Sequence, residues 1–512
     1  MLRISLALIF ILTCSLVRAQ QFGGHPPSVK WKQVNNDTAR IIFPAGLDSP
    51  ALRIANLVNV LDRYTYQSIG NRRRKISIVL QPSTTISNAY VALGPFRSEF
   101  QMTPQQNSFE LGSLPWADNL AIHEYRHVQQ YNNFNRGISK VFSVLFGEEG
   151  QALANALVVP DWFFEGDAVY QETKVSRQGR GRLPYFFNDY RSLWLEGKIY
   201  SWMKLRNGSL RDFVPDHYRL GYLLTAYGYE NYGNEFWKKV SGDASAFKGL
   251  FYPWQKAIKR QTGKDYREFR NNAIEHFRTQ LKSTVGADAG SASRHFLSDQ
   301  EYPYMMENDD ILYLETSYKK LPRFVVDQNG KLKNLRVRDI SIDNYFSYRN
   351  NKIVYAAYRP DTRWGWRDYS DLRLLDVSTG EQRKLTNRTK YFAPDISADG
   401  NSVIAVHVDE KGNSALHLLS TNSGGIEKIV PNPDQLFYTY PKFYDQQQVL
   451  SAVRNREGKM SLAITDLRNG SNRFIIPFSW NVTGFPWVEG DTIYFTASDG
   501  RIDRLFAWVN NS

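Results

Sequence analysis

Two histidines and a glutamate fall within five consecutive residues, in the stretch His-Glu-Tyr-Arg-His over 123–127. On an α-helix, residues four positions apart share one face, so His123 and His127 can present their imidazoles to a single metal ion. Glu124 lies beside them, where its carboxylate can activate a water molecule. The pattern predicts a metal-dependent hydrolytic site, and two unrelated surface histidines are the alternative.

A second block supplies a third candidate ligand, because catalytic zinc usually takes three protein ligands. Residues 162–172 read Trp-Phe-Phe-Glu-Gly-Asp-Ala-Val-Tyr-Gln-Glu. This segment resembles the Trp-x-x-Glu-Gly-x-Ala-x-Tyr-x-Glu segment of the gluzincin metallopeptidases, particularly their zinc aminopeptidase branch. The resemblance implies that Glu165 is the third zinc ligand. The small residues Gly166 and Ala168 predict close packing of this helix beside the histidine helix.

A third block, Tyr-Arg-Leu-Gly over 218–221 followed by Gly233, resembles the Tyr-x-x-Gly…Gly stretch of the same families. In those enzymes the tyrosine donates a hydrogen bond to the oxyanion of the tetrahedral intermediate. The resemblance carries this role to Tyr218. Since the neighbourhood is rich in tyrosine, His217 and Tyr222 remain alternatives for the same donor.

The chain departs from the family pattern in two places. Glu165 follows His127 by 38 positions, about twice the usual separation, so 133–160 is expected to be an insertion with helices over 138–146 and 151–157. The Gly-x-Met-Glu-Asn strand that recognises a free amino terminus in aminopeptidases is missing. Residues 88–94 lie in a comparable place but contain no Glu. Endopeptidase and exopeptidase activity therefore both remain open.

The elements that must position these residues have a mixed α/β pattern from about residue 36 to 285. Residues 39–44 and 75–81 are strand-like, and helical spacing of apolar residues covers 49–69. From 116 onward the pattern is mostly helical, ending in an amphipathic pair over 256–281 broken at Gly263. We therefore predict an α+β zincin-type, gluzincin-like metallopeptidase domain over 36–285.

The pattern changes after a small, polar stretch over 287–293, which is typical of a linker. Beyond it, prolines recur, and each precedes a turn and then an apolar strand, with a period near 45 residues that is typical of β-propeller blades. These prolines are Pro303, Pro394, Pro441 and Pro486, and the strands that follow lie at 311–313, 403–405, 449–451 and 493–495, with a further strand at 353–355. The unit Pro394–Gly400 resembles the Pro-Asp-x-Ser-x-Asp-Gly turn of TolB-like propellers.

The repeats predict an all-β, TolB-like propeller over 294–512. The sequence holds four units and most of a fifth, which favours an incomplete propeller in a fragment of a longer protein over a fifth blade that ends near Ser512. An irregular β-sandwich is the alternative. The expected role of the propeller is to bind a protein partner or to gate access of the substrate.

The amino-acid composition excludes several other classes of protein. The 512 residues are 42% hydrophobic and 14% aromatic, which fits a globular chain rich in strands. The net charge is +13, but its lysines and arginines are dispersed and no nucleic-acid motif accompanies them, so we expect no nucleic-acid partner. The single Cys, Cys14, excludes a disulfide scaffold and cysteine metal sites.

Residues 1–19 have the pattern of a cleaved signal peptide: Arg3, an apolar run, then Val17 and Ala19 before the cleavage site. Lipidation at Cys14 is the alternative. No later stretch reaches about 18 apolar residues, so we expect no transmembrane span after signal removal. The chain is thus expected to be exported, either to the periplasm, with or without association with the outer membrane, or as a secreted protein.

Together these features predict a zinc metallopeptidase acting on peptides or proteins. One Zn²⁺ is expected at His123, His127 and Glu165, with Glu124 as general base and Tyr218 as oxyanion donor; other divalent ions can also occupy such a site. The alternative is a non-catalytic envelope-binding or assembly protein with a vestigial metallopeptidase domain and a partner-binding propeller.

Overall fold

The computed structural model describes residues 23–281, 296–500 and 502–509. The predicted signal segment 1–19 and the predicted linker 287–293 lie outside these residues. The described chain forms an N-terminal α+β region followed by an all-β region, as the sequence pattern predicts. Within the described ranges, no helix is both long enough and apolar enough to cross a membrane.

One mixed sheet organises the N-terminal region. Its strands are β1 (Trp31–Asn35), β2 (Ala39–Pro44), β3 (Ile76–Gln81), β4 (Ala89–Ala92) and β5 (Arg97–Gln101). The order is β1-β2-β3-β5-β4, in which β2, β3 and β5 are parallel while β1 and β4 pair antiparallel at the two edges. Strands β2 and β3 match the sequence prediction. The sequence analysis did not predict β1, β4 or β5 as strands.

Helices build the rest of this region. They are α1 (Asp48–Thr65), α2 (Ser108–Leu111), α3 (Trp116–Phe134), α4 (Gly137–Val158), α5 (Asp161–Val175), α6 (Pro184–Leu195), α7 (Trp202–Asn207), α8 (His217–Tyr232), α9 (Phe236–Ser245), α10 (Pro253–Thr262) and α11 (Tyr266–Gln280). The last two are the predicted amphipathic pair, and Gly263 ends α10 in the left-handed conformation, as glycine permits.

The predicted insertion between the histidines and Glu165 is a helical hairpin. Helix α4 breaks at Phe146 and Gly147, whose backbone angles are not helical, so its two halves match the two predicted helices. The halves pack closely, because a Cβ on Gly150 would lie 2.4 Å from the carbonyl oxygen of Phe142. The hairpin thus carries the chain away from α3 and returns it to the start of α5.

The all-β region contains five antiparallel sheets in sequence order, which are the blades of a propeller. Blade 1 is β6 (Ser298–Met305), β7 (Ile311–Ser317), β8 (Arg323–Gln328) and β9 (Lys331–Val337); blade 2 is β10 (Phe346–Arg349), β11 (Lys352–Pro360), β12 (Asp368–Asp376) and β13 (Gln382–Lys384). Blade 3 is β14 (Tyr391–Ile396), β15 (Ser402–Val408), β16 (Ser414–Ser420) and β17 (Ile426–Ile429). Blade 4 is β18 (Phe437–Phe443), β19 (Gln448–Arg454), β20 (Met460–Asp466) and β21 (Asn472–Phe474), and blade 5 is β22 (Thr483–Glu489), β23 (Thr492–Asp499) and β24 (Ile502–Val509).

The repeated prolines lie within the first strand of their blades, each at a break in the ladder register. Proline has no N–H to donate to the ladder, so it fits a bulge. The residue before each proline has a positive φ, between 43° and 53°; these residues are Tyr302, Ala393, Tyr440 and Phe485. The predicted apolar strands that follow are the second strands of the five blades.

Side chains from the first strands fill the propeller axis. Lys442 forms a buried ion pair with Asp395 at 3.0 Å, and its ammonium group lies 5.2 Å from the ring centre of Trp487. The rings of Trp487 in blade 5 and Tyr304 in blade 1 are 5.7 Å apart, so the last blade contacts the first. In the described residues the five blades therefore form a ring, and the expected incomplete circle is not what the structure shows.

The propeller and the N-terminal region share a polar interface. The N–H of Thr85 donates to Asp368 at 2.5 Å, and Ser83 donates to Glu410 at 2.8 Å. Arg454 donates to the carbonyl oxygen of Gln105 at 2.8 Å. These bonds attach three different blades or blade loops to the segments that follow β3 and β5, next to the site described below.

Candidate functional site

Three potential ligand atoms converge where α3 faces α5. Nε2 of His123 lies 3.2 Å from Nε2 of His127, and Oε2 of Glu165 lies 3.2 Å from the first and 3.4 Å from the second. Ligands about 2.0–2.1 Å from a tetrahedral zinc ion are roughly 3.3 Å from one another. The spacing of the three atoms therefore fits a zinc ion, and the 38-position separation is bridged by the α4 hairpin.

Each histidine is oriented through its other ring nitrogen. Nδ1 of His123 lies 2.6 Å from Glu172, and Nδ1 of His127 lies 2.8 Å from the side-chain oxygen of Gln130. Oxygen acceptors at Nδ1 hold the proton there and leave Nε2 free to bind a metal. Gln130 in turn donates to the carbonyl oxygen of Phe164 at 3.0 Å, which connects this histidine to the turn before Glu165.

Arg180 forms a second contact with the same carboxylate. Its guanidinium lies 2.5 Å from Glu172 and 2.8 Å from Nδ1 of His123. Although burial alone would raise the pKa of Glu172, Arg180 and His123 lower it to about 2. The sequence analysis did not identify Arg180, because it lies in a short 3₁₀ turn over 180–182 that matches no motif.

The charges around the three candidate ligands favour a positive charge at the point where their ligand atoms converge. Burial opposes protonation of His123, but hydrogen bonds with Glu165 and Glu172 raise its pKa to about 10. Burial would also raise the pKa of Glu165, yet the neighbouring histidines hold that pKa well below its usual range. Carboxylates therefore remain ionised here and can balance the charge of a divalent cation.

Glu124 lies beside the ligands as a buried carboxylate with 5% exposure. Its Oε2 has no hydrogen-bond partner among the described residues. Burial raises the pKa of Glu124, which makes its carboxylate a stronger base than one in water. Both features suit a group that takes up a proton.

Tyr218 and His217 line the cleft at the start of α8, whereas Tyr222 does not. The ring of Tyr218 is 6.4 Å from that of His123, and Arg180 lies 5.0 Å from its ring centre. Tyr222 is 7% exposed and lies behind the cleft, close to Gly181. Tyr222 is about one helical turn further along α8 than Tyr218 and does not line the cleft, so it is less well placed than Tyr218 to act as the donor.

A buried ion pair fixes α3 against α5. Arg126 binds Asp167 through two bonds of 2.6 and 3.0 Å, and both side chains are fully buried. Tyr229 donates to the same carboxylate at 2.9 Å, and Ser68 accepts a bond from the guanidinium at 3.0 Å. A buried pair with these additional hydrogen bonds has a defined geometry, so it sets the register of Glu165 relative to the histidines.

The close helix packing predicted from Gly166 occurs, but with a different partner. A Cβ on Gly166 would lie 2.1 Å from the carbonyl carbon of Gly221, so Gly166 brings α5 against α8, while α5 contacts the histidine helix through other residues such as Asp167. The prediction was wrong about the partner because Gly166 follows Glu165 directly, and adjacent helix residues point about 100° apart. Glu165 faces α3 while Gly166 faces α8.

The site opens into a cleft of about 680 Å³. Edge strand β4 forms one wall, so the first part of the segment 88–94 lies next to the ligands. The wall includes Asn88, Ala89, Tyr90 and Val91. A cleft of this volume lies within the usual range of ligand pockets, about 300–1,000 Å³.

No protein-family model matches the sequence, and no curated protein sequence matches it significantly. Similar solved structures include TolB from Acinetobacter baumannii, with 13% identity over 50% of this chain and 70% of that chain at a TM-score of 0.31. A putative TolB from Agrobacterium tumefaciens shares 15% identity over 41% of this chain and 77% of that chain at a TM-score of 0.33. The β-propeller domain of the Trilobed protease from Pyrococcus furiosus shares 11% identity over 41% and 82%, at a TM-score of 0.28. These similarities concern fold alone.

Proposed function

We propose that this chain is a zinc-dependent peptidase that hydrolyses peptide bonds. The convergence of Nε2 of His123, Nε2 of His127 and Oε2 of Glu165 within 3.2–3.4 Å of one another carries the proposal. Two imidazoles and one carboxylate are a donor set that zinc prefers in hydrolytic sites, although other divalent ions bind it. Zinc held by these three residues would supply Lewis acidity to a water molecule and to the scissile carbonyl.

Glu124 is the proposed general base and acid. Its unpartnered Oε2 accepts a proton as the water oxygen attacks the carbonyl carbon, and it later returns this proton to the nitrogen of the leaving amine. The C–N bond breaks as that nitrogen is protonated, so water and one peptide bond give a carboxylate and an amine. Burial raises the pKa of Glu124, which supports both transfers.

Tyr218 is the proposed donor to the oxygen that gains negative charge during the attack. Its position in the cleft beside His123 supports this role. Burial raises the pKa of its hydroxyl, so the hydroxyl keeps its proton and can donate it in a hydrogen bond. Loss of one donor of this kind typically costs about 10²–10³ in rate.

The test compares wild-type chain with Glu124→Gln, using zinc analysis and the products formed from a peptide library. Because the amide cannot accept the proton, we expect activity to fall by about 10²–10⁴ while one zinc ion per chain is retained. Glu196→Gln, which changes an exposed carboxylate directly after α6, is the matched control. Full metal-dependent activity of Glu124→Gln would contradict the role of Glu124 in the proposal. A wild-type chain that binds no zinc would contradict the metal site and favour the non-catalytic binding role.

We also infer that the protein acts outside the cytoplasm. The inference is supported by the signal-like pattern of residues 1–19 and by the absence of any Cys after position 14. Fractionation of cells that express the complete chain, followed by determination of the amino terminus, tests it. A mature protein beginning near Gln20 in the periplasm or the medium is expected, and an uncleaved cytoplasmic chain would contradict it.

A further inference from the structure

A second large cavity lies between the propeller and the N-terminal region. Its volume is about 810 Å³, and it is bounded by α2, by the loop before α2 and by the mouth of the propeller axis. Ser87 and Leu111 line both this cavity and the metal cleft, so the two spaces adjoin. A polypeptide bound at the metal site can therefore extend into the cavity without leaving the protein surface.

The cavity is acidic, although the whole chain carries a net charge of +13. Among the described residues that line it, none is Lys, Arg or His, whereas four carboxylates come from four separate segments. They are Glu110, Glu301, Asp343 and Asp503. Like charges brought together in this way repel one another unless a cation is bound between them.

Neutral groups hold two of these carboxylates in place. Glu110 accepts hydrogen bonds from the amides of Gln105 at 2.7 Å and Asn107 at 3.1 Å. Glu301 accepts one from the amide of Asn344 at 2.8 Å. Burial raises the pKa of Glu301. These amides orient the carboxylates without adding charge.

Two arginines behind the wall compensate part of the negative charge: Arg338 lies 3.9 Å from Asp343, and Arg191 acts on Asp503. Burial nevertheless raises the pKa of Asp343 and of Asp503.

Gln106 provides an independent sign of a missing ligand. It lines the cavity with only 6% exposure, and neither its Nε2 nor its Oε1 has a hydrogen-bond partner among the described residues. A buried amide without partners costs free energy, so such a group in a cavity indicates a ligand that supplies both a donor and an acceptor. The N–H and C=O of a peptide group are such a donor and acceptor, and they can pair with Oε1 and Nε2 of Gln106.

Aromatic rings form much of the remaining wall. Tyr302, Tyr440 and Phe485 come from three blades around the axis, and below them Lys442 and its neighbours fill the axis. The cavity therefore ends at the propeller and is not an entrance through it. Aromatic faces attract organic cations and pack against the apolar stem of a long side chain.

We propose that this cavity binds a positively charged part of a polypeptide substrate, either a Lys or Arg side chain or the amino terminus. The carboxylates compensate the charge, the rings contact the stem and Gln106 pairs with the backbone. The inference rests on the proposed function only for the statement that the ligand is a substrate. The cavity thus selects basic substrates by contacts remote from the hydrolysed bond.

The test measures binding by isothermal titration calorimetry to the full-length Glu124→Gln chain, so that hydrolysis does not interfere. The probes are decapeptides of Gly, Ser and Ala with one central Arg or its neutral isostere citrulline, each with a free or an acetylated amino terminus. We expect the Arg peptide or the free-amine peptide to bind about tenfold more tightly than its neutral counterpart. The two comparisons show which cation occupies the cavity.

The double change Glu110→Gln and Glu301→Gln should abolish this preference while leaving the melting temperature nearly unchanged. The matched control changes Glu381 and Glu489, two exposed propeller carboxylates, to Gln and should retain it. Equal affinity for charged and neutral peptides, or a preference that survives the double change, overturns the inference. Charge-selective binding without any hydrolysis by the wild-type chain would instead contradict the proposed function and leave the cavity assignment standing.

Discussion

Gly166 of α5 and Gly221 of α8 bring two helix backbones into direct contact beneath the candidate metal site. A Cβ on Gly221 would lie 1.9 Å from the carbonyl oxygen of Trp162, and one on Gly166 would lie 2.1 Å from the carbonyl carbon of Gly221. Helix α5 carries Glu165 and helix α8 carries Tyr218. This contact therefore sets the distance between a proposed metal ligand and the proposed oxyanion donor.

Gly221→Ala is expected to lower the free energy of unfolding by about 1–3 kcal/mol, because backbone atoms cannot move aside as a flexible side chain can. Forcing the helices apart should also weaken zinc binding. Urea unfolding and zinc titration measure the two effects. Gly242→Ala in α9 is the control, since its added Cβ would meet only the end of the Arg136 side chain, at 3.2 Å. Wild-type stability and zinc affinity in Gly221→Ala would contradict the packing argument.

Glu172→Gln is expected to weaken zinc binding by about 10–100-fold, the usual effect of losing a partner of a metal-binding histidine. The amide keeps the size of the side chain but removes the charge that faces His123. Competition with a chelator measures the affinity. Glu230→Gln is a matched control, because Glu230 contacts His276 at 2.9 Å far from the cleft. An unchanged zinc affinity in Glu172→Gln would show that the contact between Glu172 and His123 does not affect metal binding.

Tyr218→Phe is expected to lower kcat by about 10²–10³ with zinc content unchanged, because only the donor to the oxyanion is lost. Steady-state kinetics on a peptide substrate provide the measurement. Tyr222→Phe, outside the cleft, should leave kcat near the wild-type value. If His217→Gln lowers kcat and Tyr218→Phe does not, His217 is the donor and the assignment to Tyr218 is wrong.

The propeller should lose stability in mild acid through His417. Burial, with the neighbouring ring of His407 stacked at 4.6 Å, lowers the pKa of His417 to about 4. Well above pH 6.5, the imidazole of His417 is neutral in both the folded and the unfolded chain. As the pH falls from about 6.5 to 4, His417 binds a proton in the unfolded chain but not in the folded chain. The free energy of unfolding therefore decreases.

The expected loss from this one group is of the order of 1–3 kcal/mol. Denaturant unfolding of wild type and His417→Gln at pH 7.5 and 4.5 measures it. The variant has no ionisable group at this position, and its amide can still contact the hydroxyl of Tyr391, which lies 2.9 Å from Nδ1 of His417. A variant that loses as much stability as wild type would show that other groups cause the effect.

The sequence by itself determined the local features of this protein. A four-residue spacing places His123 and His127 on one face of any helix, whatever the rest of the chain does. Recurrent prolines mark the first strands of the blades, because a residue without an N–H disrupts each ladder in the same way. The break in α4 and the helix end at Gly263 were likewise predictable from local composition.

Tertiary structure alone decided which distant residues meet. Arg180 matches no motif, and its role appears only where folding brings it to the imidazole of His123. Gln130 is three residues after His127 on the same helix, but only packing brings it to the carbonyl oxygen of Phe164. The contact partner of Gly166 depended on the direction in which α5 crosses its neighbours. The acidic cavity collects carboxylates from α2 and three propeller segments, so no sequence window contains it. Spacing along a chain fixes the face on which a side chain lies, but packing between elements fixes what that face meets.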